Sequence, residues 1–327
     1  MVPAALPALA FAGLGTSSPA PAQTPDSYAS AGERVTIAPG RALNLRCSGA
    51  GPRTVLLEAG GNADSATWFR VQPLLTSARV CAYDRAGYGF SDPGPLPRDL
   101  QAGVDDLHAL VRAAKLETPL VLVGHSLGAN LVRRYALQHP ADVAALILVD
   151  PPEQGAQAQL PAQWKQDDAA MLAQRLAFVD ACTKAAEDGS LDAAEGPLQG
   201  CLRAPPDWQS PAVAAATRAY KLKPDYWRAL RSQLEDNTKV FADPVPAQES
   251  HGETPVVVLV APGDYSGVPD AVRDVLQAAR KQTQSRLVAS SRRGRRIDVA
   301  DTSHDIQLDR PEVVAEAIRS VLVQPRD

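Results

Sequence analysis

The feature that most constrains this chain is an unbroken apolar run, Leu120-Val121-Leu122-Val123, that stops at Gly124-His125-Ser126-Leu127-Gly128 and passes at once into a helical pattern. Consecutive apolar residues after Pro119 are what a strand buried on both faces of a parallel sheet looks like. Leu127, Leu131 and Tyr135 then share one helical face with Val132 beside them, and His139-Pro140 ends the pattern. A serine at so sharp a strand-to-helix turn has its hydroxyl pushed out of the sheet. The crowded, strained backbone there needs small neighbours, which Gly124 and Gly128 supply. Gly124 to Gly128 therefore reads as a nucleophile elbow, with Ser126 as the candidate nucleophile. The strand and helix around it carry that reading, since a chain rich in glycine produces the five-residue pattern by chance often enough.

The segments on either side alternate. Arg34 to Ala38 and Ala42 to Cys47 read as a hairpin turning at Pro39-Gly40. Thr54 to Glu58 is a buried-type strand running into Ala59-Gly60-Gly61-Asn62, and the apolar residues from Trp68 to Leu75 predict a helix. A strand at Arg79 to Asp84 opens into a glycine-rich turn, Arg98 to Leu116 is an amphipathic helix, and Ala144 to Asp150 is a further buried strand closed by Pro151-Pro152. A hairpin followed by alternating strands and helices is the pattern of a mostly parallel sheet covered on both faces.

The alternation then stops from Glu153 to Glu253, far beyond the length of an ordinary loop. Helices are expected there at Asp167 to Lys184 and Ala212 to Asp236, forming an inserted cap. Its aromatic residues, Trp164, Trp208, Tyr220, Tyr226, Trp227 and Phe241, suit either a roof over a substrate or the cap's own core. Alternation resumes with a strand at Pro255 to Val260, a helix from Pro269 to Gln282 and a strand at Arg296 to Ala300. Asp309, with Glu312 three residues later, predicts a capping box for the last helix. The chain thus divides into a tail (1–30), a first core part (31–152), a cap (153–253) and a second core part (254–327).

A serine hydroxyl is a poor nucleophile at neutral pH, so it needs a base, and the base needs an orienting acid. Of five histidines, His108, His139 and His251 are explained by their places on or beside helices and strands, and His125 points away from the nucleophile at the turn. His304 follows the last strand on a short polar loop, at the sheet edge that holds Ser126, and is the candidate base. Sites in open α/β sheets form at the carboxyl ends of the parallel strands. Two carboxylates end strands there: Asp264 is the first choice for the acid, and Asp150 the alternative. The developing negative charge needs two N–H donors, for which the first residue of the elbow helix, Leu127, and Gly61 in the glycine turn are the candidates. The chemistry requires no metal and no organic cofactor.

A net charge of -4 favours neither nucleic acid nor an anionic membrane as partner, and leaves a small-molecule substrate as the expected one. No stretch is long and apolar enough for an integral membrane segment, so a soluble mature protein is expected. Residues 1–30, rich in Ala, Pro and Ser, read either as a signal peptide lacking its basic start or as a disordered tail. Cys182 and Cys201 bracket a loop that a disulfide would close, stabilising by roughly 3 kcal/mol. Cys47 and Cys81 are either a second bridge or buried thiols. An even cysteine count beside a leader-like start favours export to the periplasm or the medium over the cytoplasm.

Over residues 34–325 the chain resembles the α/β-hydrolase superfamily. The likeness rests on Gly60-Gly61, Asp84-Arg85-Ala86-Gly87-Tyr88-Gly89, Gly124-His125-Ser126-Leu127-Gly128, Gly263-Asp264 and Ser303-His304, in that order. The resemblance implies an α/β fold with a mostly parallel eight-stranded sheet, helices on both faces and an inserted helical cap. It places the strand of Cys47 beside the strand of Cys81 and gives Asp84-Arg85 a loop-holding role. It implies a serine esterase, acting less readily on amides, with Ser126, His304 and Asp264 as triad, because members with dehalogenase or epoxide hydrolase activity carry Asp at the elbow. The alternatives are carbon-carbon bond hydrolysis, aminopeptidase action or acyl transfer on the same triad, or ligand binding on the same fold without catalysis. Ala59 stands where many members have His before the glycine.

Overall fold

The eight strands of the computed structural model, which describes residues 25–263 and 265–322, form one sheet in the order β1-β2-β4-β3-β5-β6-β7-β8. They are β1 (Glu33–Ala38), β2 (Arg41–Ser48), β3 (Thr54–Glu58), β4 (Arg79–Tyr83), β5 (Leu120–His125), β6 (Val143–Val149), β7 (Val256–Val260) and β8 (Gly294–Asp298). β1 and β2 form the antiparallel hairpin, β2 runs antiparallel to β4, and every later pair is parallel. The helices are α1 (Leu100–Ala113), α2 (Leu127–Gln138), α3 (Ala162–Glu187), α4 (Pro211–Lys221), α5 (Pro224–Ala242), α6 (Asp270–Ala289), α7 (Ile306–Asp309) and α8 (Pro311–Leu322).

The continuous apolar strands conceal a strict alternation. Leu56, Leu120, Leu122, Leu146, Leu148, Val256 and Val258 face one core with α1, α2 and Leu287 of α6. Val55, Leu57, Val121, Val123, Ile147, Val149, Val257 and Leu259 face the other, with Trp68, Val71 and α8. Each strand residue is buried because each face of the sheet has its own helical layer, as in parallel sheets generally.

Local chemistry moves several expected boundaries. The helix expected from Trp68 to Leu75 is two short 3-10 turns, Ser65–Trp68 and Gln72–Leu74, because Pro73 cannot donate to a continuing helix. Pro224 likewise splits the expected Ala212 to Asp236 helix into α4 and α5. β8 begins at Gly294 rather than Arg296 and is an edge strand whose arginines face outward, where their charge discourages pairing with another sheet. The capping box is corrected: Asp309 ends α7, and its carboxylate accepts from the Ser303 N–H and the Ser303 and Thr302 hydroxyls. Pro311 starts α8, and Glu312 pairs with Arg310 instead.

Between β6 and β7 the chain forms α3, α4 and α5, with 3-10 turns between them. Tyr220, Tyr226, Trp227, Leu230 and Leu234 are buried with Val179, Leu191 and Tyr88, so these aromatics form a core under the helices rather than a free roof. Tyr226 meets Tyr88 edge-on with centroids 5.6 Å apart, which joins α5 to the turn after β4. Cys182 is bonded to Cys201 and Cys47 to Cys81, the latter two directly opposite in the β2–β4 pairing. Among the described residues no helix is long and apolar enough to cross a membrane.

Candidate active site

Ser126 lies between the end of β5 and the first residue of α2, at φ 52° and ψ -123°. A non-glycine residue pays for that conformation, and close packing holds it there. A Cβ on Gly124 would lie 2.4 Å from the Gly128 carbonyl oxygen, and one on Gly128 would lie 2.6 Å from the Ala59 carbonyl oxygen. Nothing larger than glycine fits at either position without moving backbone. The Ser126 N–H donates to the Val149 carbonyl at 2.9 Å, fixing the turn to the end of β6.

Gly60 and Gly61 pack directly on this turn. A Cβ on Gly60 would lie 3.4 Å from Ser126 Cβ, and one on Gly61 would lie 3.7 Å from Leu127 Cδ2. No hydrogen bond to another described residue engages the Gly61 N–H. Leu127 is the first residue of α2, and a helix leaves such an N–H without an internal acceptor. Both donors therefore have capacity for an incoming oxygen.

Arg85 holds the glycine turn from behind. Its guanidinium donates to the Ala59 carbonyl at 2.7 Å and the Gly60 carbonyl at 2.6 Å, and pairs with the buried Glu58 carboxylate, which also accepts from Tyr83. Asp84 accepts from the N–H groups of Ser65 and Phe90 and from the Asn44 amide. Both residues of the Asp84-Arg85 pair thus bind loops together. From the other side, Gln233 Oε1 on α5 accepts from the Asn62 N–H at 3.0 Å and from the Tyr88 hydroxyl at 3.3 Å. Tyr226, also on α5, donates to Asn62 Oδ1 at 2.5 Å.

His304 lies in the loop between β8 and α7, with its Nδ1 2.7 Å from Asp150 Oδ2. Asp150 is almost fully buried and leaves β6 at φ 43°. Its other oxygen accepts from the Ala261 N–H at 3.0 Å and from Arg280 at 2.6 Å. Of the two carboxylates expected at strand ends, Asp150 is the one on His304, whereas Asp264 lies outside the described residues. His304 is half exposed, and a cleft of about 300 Å³ lined by Asp150, Glu153, Tyr265, Arg280 and Ser303 opens beside it.

His125 lies against His304, their ring centroids 4.7 Å apart. Its Nε2 is 3.0 Å from the His304 carbonyl oxygen and, as donor, fixes that loop to the elbow. Burial, reinforced by the neighbouring His304, pushes the His125 pKa down to about 4, so this ring is neutral near pH 7. Among the described residues Ser126 Oγ has no hydrogen-bond partner. Contacts of a catalytic hydroxyl are often long without substrate and tighten as substrate binds.

Sequence reasoning missed Arg280, Gln233, Asn62 and Asp309. Arg280, Gln233 and Asn62 are common polar residues whose partners are distant in the chain, with no local spacing to mark them, and Asp309 was masked by its resemblance to a helix cap.

A sheet of this topology with a serine turn, a histidine loop and a helical segment after β6 defines a family, and the comparisons agree. The chain belongs to the alpha/beta hydrolase fold family, whose model matches residues 53–311. It is 32% identical over 102 residues to the uncharacterized protein YqjL of Bacillus subtilis, a match covering 30% of this chain and 39% of that protein. It is 36% identical over 101 residues to the lipase LipV of Mycobacterium tuberculosis, covering 31% of this chain and 38% of the lipase. These matches span well under half of either relative. Among solved structures, the epoxide hydrolase CorEH superposes with a TM-score of 0.62 at 16% identity, covering 88% of this chain and 97% of that one. That likeness is one of fold.

Proposed function

We propose that this protein is a serine hydrolase that cleaves the carboxylic ester of a small molecule through an acyl-enzyme intermediate, with amides as poorer substrates. One arrangement carries the reading: Ser126 on its strained turn, with Leu127 next to it and Gly61 packed against Leu127, at the sheet edge where His304 is hydrogen-bonded to Asp150. The serine at the elbow also separates the chain from the epoxide hydrolases it resembles in fold, because their chemistry needs a carboxylate there.

In this reading His304 Nε2 takes the proton of the Ser126 hydroxyl as Oγ attacks the ester carbonyl. Asp150 keeps the Nδ1 proton and stabilises the imidazolium. The Gly61 and Leu127 N–H groups receive the oxyanion, and each such donor is worth about 3 kcal/mol of barrier. His304 then gives its proton to the departing alcohol. A water, deprotonated by the same nitrogen, attacks the acyl-enzyme, releases the acid and restores Ser126. Arg280 and the Ala261 N–H hold the Asp150 carboxylate in place on its far side.

Two disulfides support export to an oxidising compartment. Mass spectrometry before and after reduction should differ by four hydrogens, and an unchanged mass would remove that support.

The activity is tested with chromogenic esters of graded acyl length beside aminoacyl amides. Turnover of at least one ester that disappears in Ser126→Ala and His304→Ala is expected. No turnover of any ester, or turnover that survives Ser126→Ala, would reject the reading.

A further inference from the structure

Away from Ser126, α1, the end of α2 and the turn Pro140–Asp142 bring together four side chains that the hydrolase chemistry does not use. The rings of His108 and His139 stack with centroids 4.0 Å apart and planes within 5°. Tyr135 lies against both rings and donates its hydroxyl to Asp142 Oδ2 at 3.1 Å. The same carboxylate oxygen is 3.9 Å from His108 Nδ1, beyond hydrogen-bonding range. That nitrogen is shielded from solvent and has no hydrogen-bond partner. A buried nitrogen left without a partner is costly, and here it sits next to a carboxylate and a second imidazole.

We propose that His108, His139 and Asp142 bind one divalent transition-metal ion of the zinc, cobalt or nickel class. Two imidazoles and a carboxylate form a borderline donor set suited to such ions. One donor atom from each of the three residues lies within 4.8 Å of the others. A tetrahedral ion with bonds near 2.1 Å needs donors about 3.4 Å apart, so the two rings must rotate towards the ion and out of their parallel stack. The residues allow it: His108 and Asp142 keep 38% and 26% of their side-chain surface exposed, which gives both an ion and the ring rotation room. The Tyr135 hydroxyl donates to Asp142 Oδ2 and so orients the carboxylate, as hydrogen bonds to metal ligands commonly do. A water completes the fourth position. The bound ion ties α1 to the end of α2 and stabilises that corner, with no part in ester cleavage.

The test uses the full chain without an affinity tag, stripped with chelator and titrated with Zn²⁺ and Co²⁺ by calorimetry. One ion per chain is expected, with micromolar affinity and a rise in melting temperature. The double variant His108→Ala/His139→Ala should bind at least tenfold more weakly and Asp142→Asn should weaken binding less, while His304→Ala should bind as the wild type does. The proposal fails if no ion binds, if the double variant binds as tightly as wild type, or if His304→Ala alone abolishes binding. Should the double variant not fold, diethyl pyrocarbonate modification of the wild type replaces it. Zn²⁺ should protect His108 and His139, and equal modification with and without the ion would overturn the proposal.

Discussion

The two halves of the candidate site are held by different means. The half around Ser126, Gly61 and Leu127 is fixed by backbone crowding, with glycines pressed to 2.4 Å and 2.6 Å of neighbouring carbonyl oxygens if a Cβ is added. The half around His304 is fixed by side chains drawn mostly from distant elements, namely Asp150 after β6, Arg280 on α6 and His125 at the end of β5, with Asp309 of the adjoining α7 holding Ser303. Backbone crowding leaves a local sequence signature, because only certain residues fit. A side-chain network leaves almost none, because many polar residues elsewhere in the chain could have supplied it.

Substitutions in the histidine half should therefore leave the elbow intact while removing activity. Asp150→Asn is expected to lower kcat by about 10⁴-fold with folding little changed, because the wrong His304 tautomer then faces Ser126. Asp264→Asn is the control, and a loss of rate there with Asp150→Asn active would move the acid's role to Asp264. Steady-state kinetics on the best ester decides between them.

Arg85→Met tests the other half. It releases the Ala59 and Gly60 carbonyls and leaves the Glu58 carboxylate buried without its cation. Removing one partner of a buried pair typically costs about 3–5 kcal/mol, which denaturant unfolding would detect. Wild-type stability in this variant would mean that the clamp contributes nothing to holding the oxyanion turn.

Breaking Cys182–Cys201 with paired serines should cost about 3 kcal/mol through the unfolded chain while kcat stays close to wild type, because neither cysteine is bonded to the groups around Ser126 or His304. A large fall in kcat with stability retained would instead make that region part of the chemistry.

The smallest expected effect is on acid sensitivity. His125 has a folded pKa of about 4, below its unfolded value near 6.5, so between those two values the unfolded chain binds the extra proton. Stability contributed by neutral His125 is complete above pH 6.5 and is lost as pH falls towards 4. His125→Gln can keep a donor to the His304 carbonyl and should flatten that part of the unfolding profile. An unchanged profile would show that His125 does not drive it.

The same contrast explains what could be read before the fold was in view. The strand positions of β3 and β5 and the elbow glycines were legible because burial on two faces and a forbidden Cβ each restrict residue type locally. The sequence favours Asp264 over Asp150 as the acid, yet both end parallel strands and both satisfy the order nucleophile, acid, histidine, and it is Asp150 that lies on His304. The contact rests on the positive φ with which Asp150 leaves β6 and on its 2.7 Å approach to His304, neither of which is written in spacing. Asp309 looked like a helix cap because its offset from Glu312 matches one. The loop before His304 offered it three donors, and those contacts prevailed over the local pattern.

The most direct test of the central claim is intact-mass analysis after reaction with a fluorophosphonate, followed by peptide mapping. One adduct per chain on Ser126 is expected in the wild type and none in Ser126→Ala, with slow labelling in Asp150→Asn. An unlabelled wild type, or an adduct of equal yield in Ser126→Ala, would contradict the assignment of Ser126 as the nucleophile.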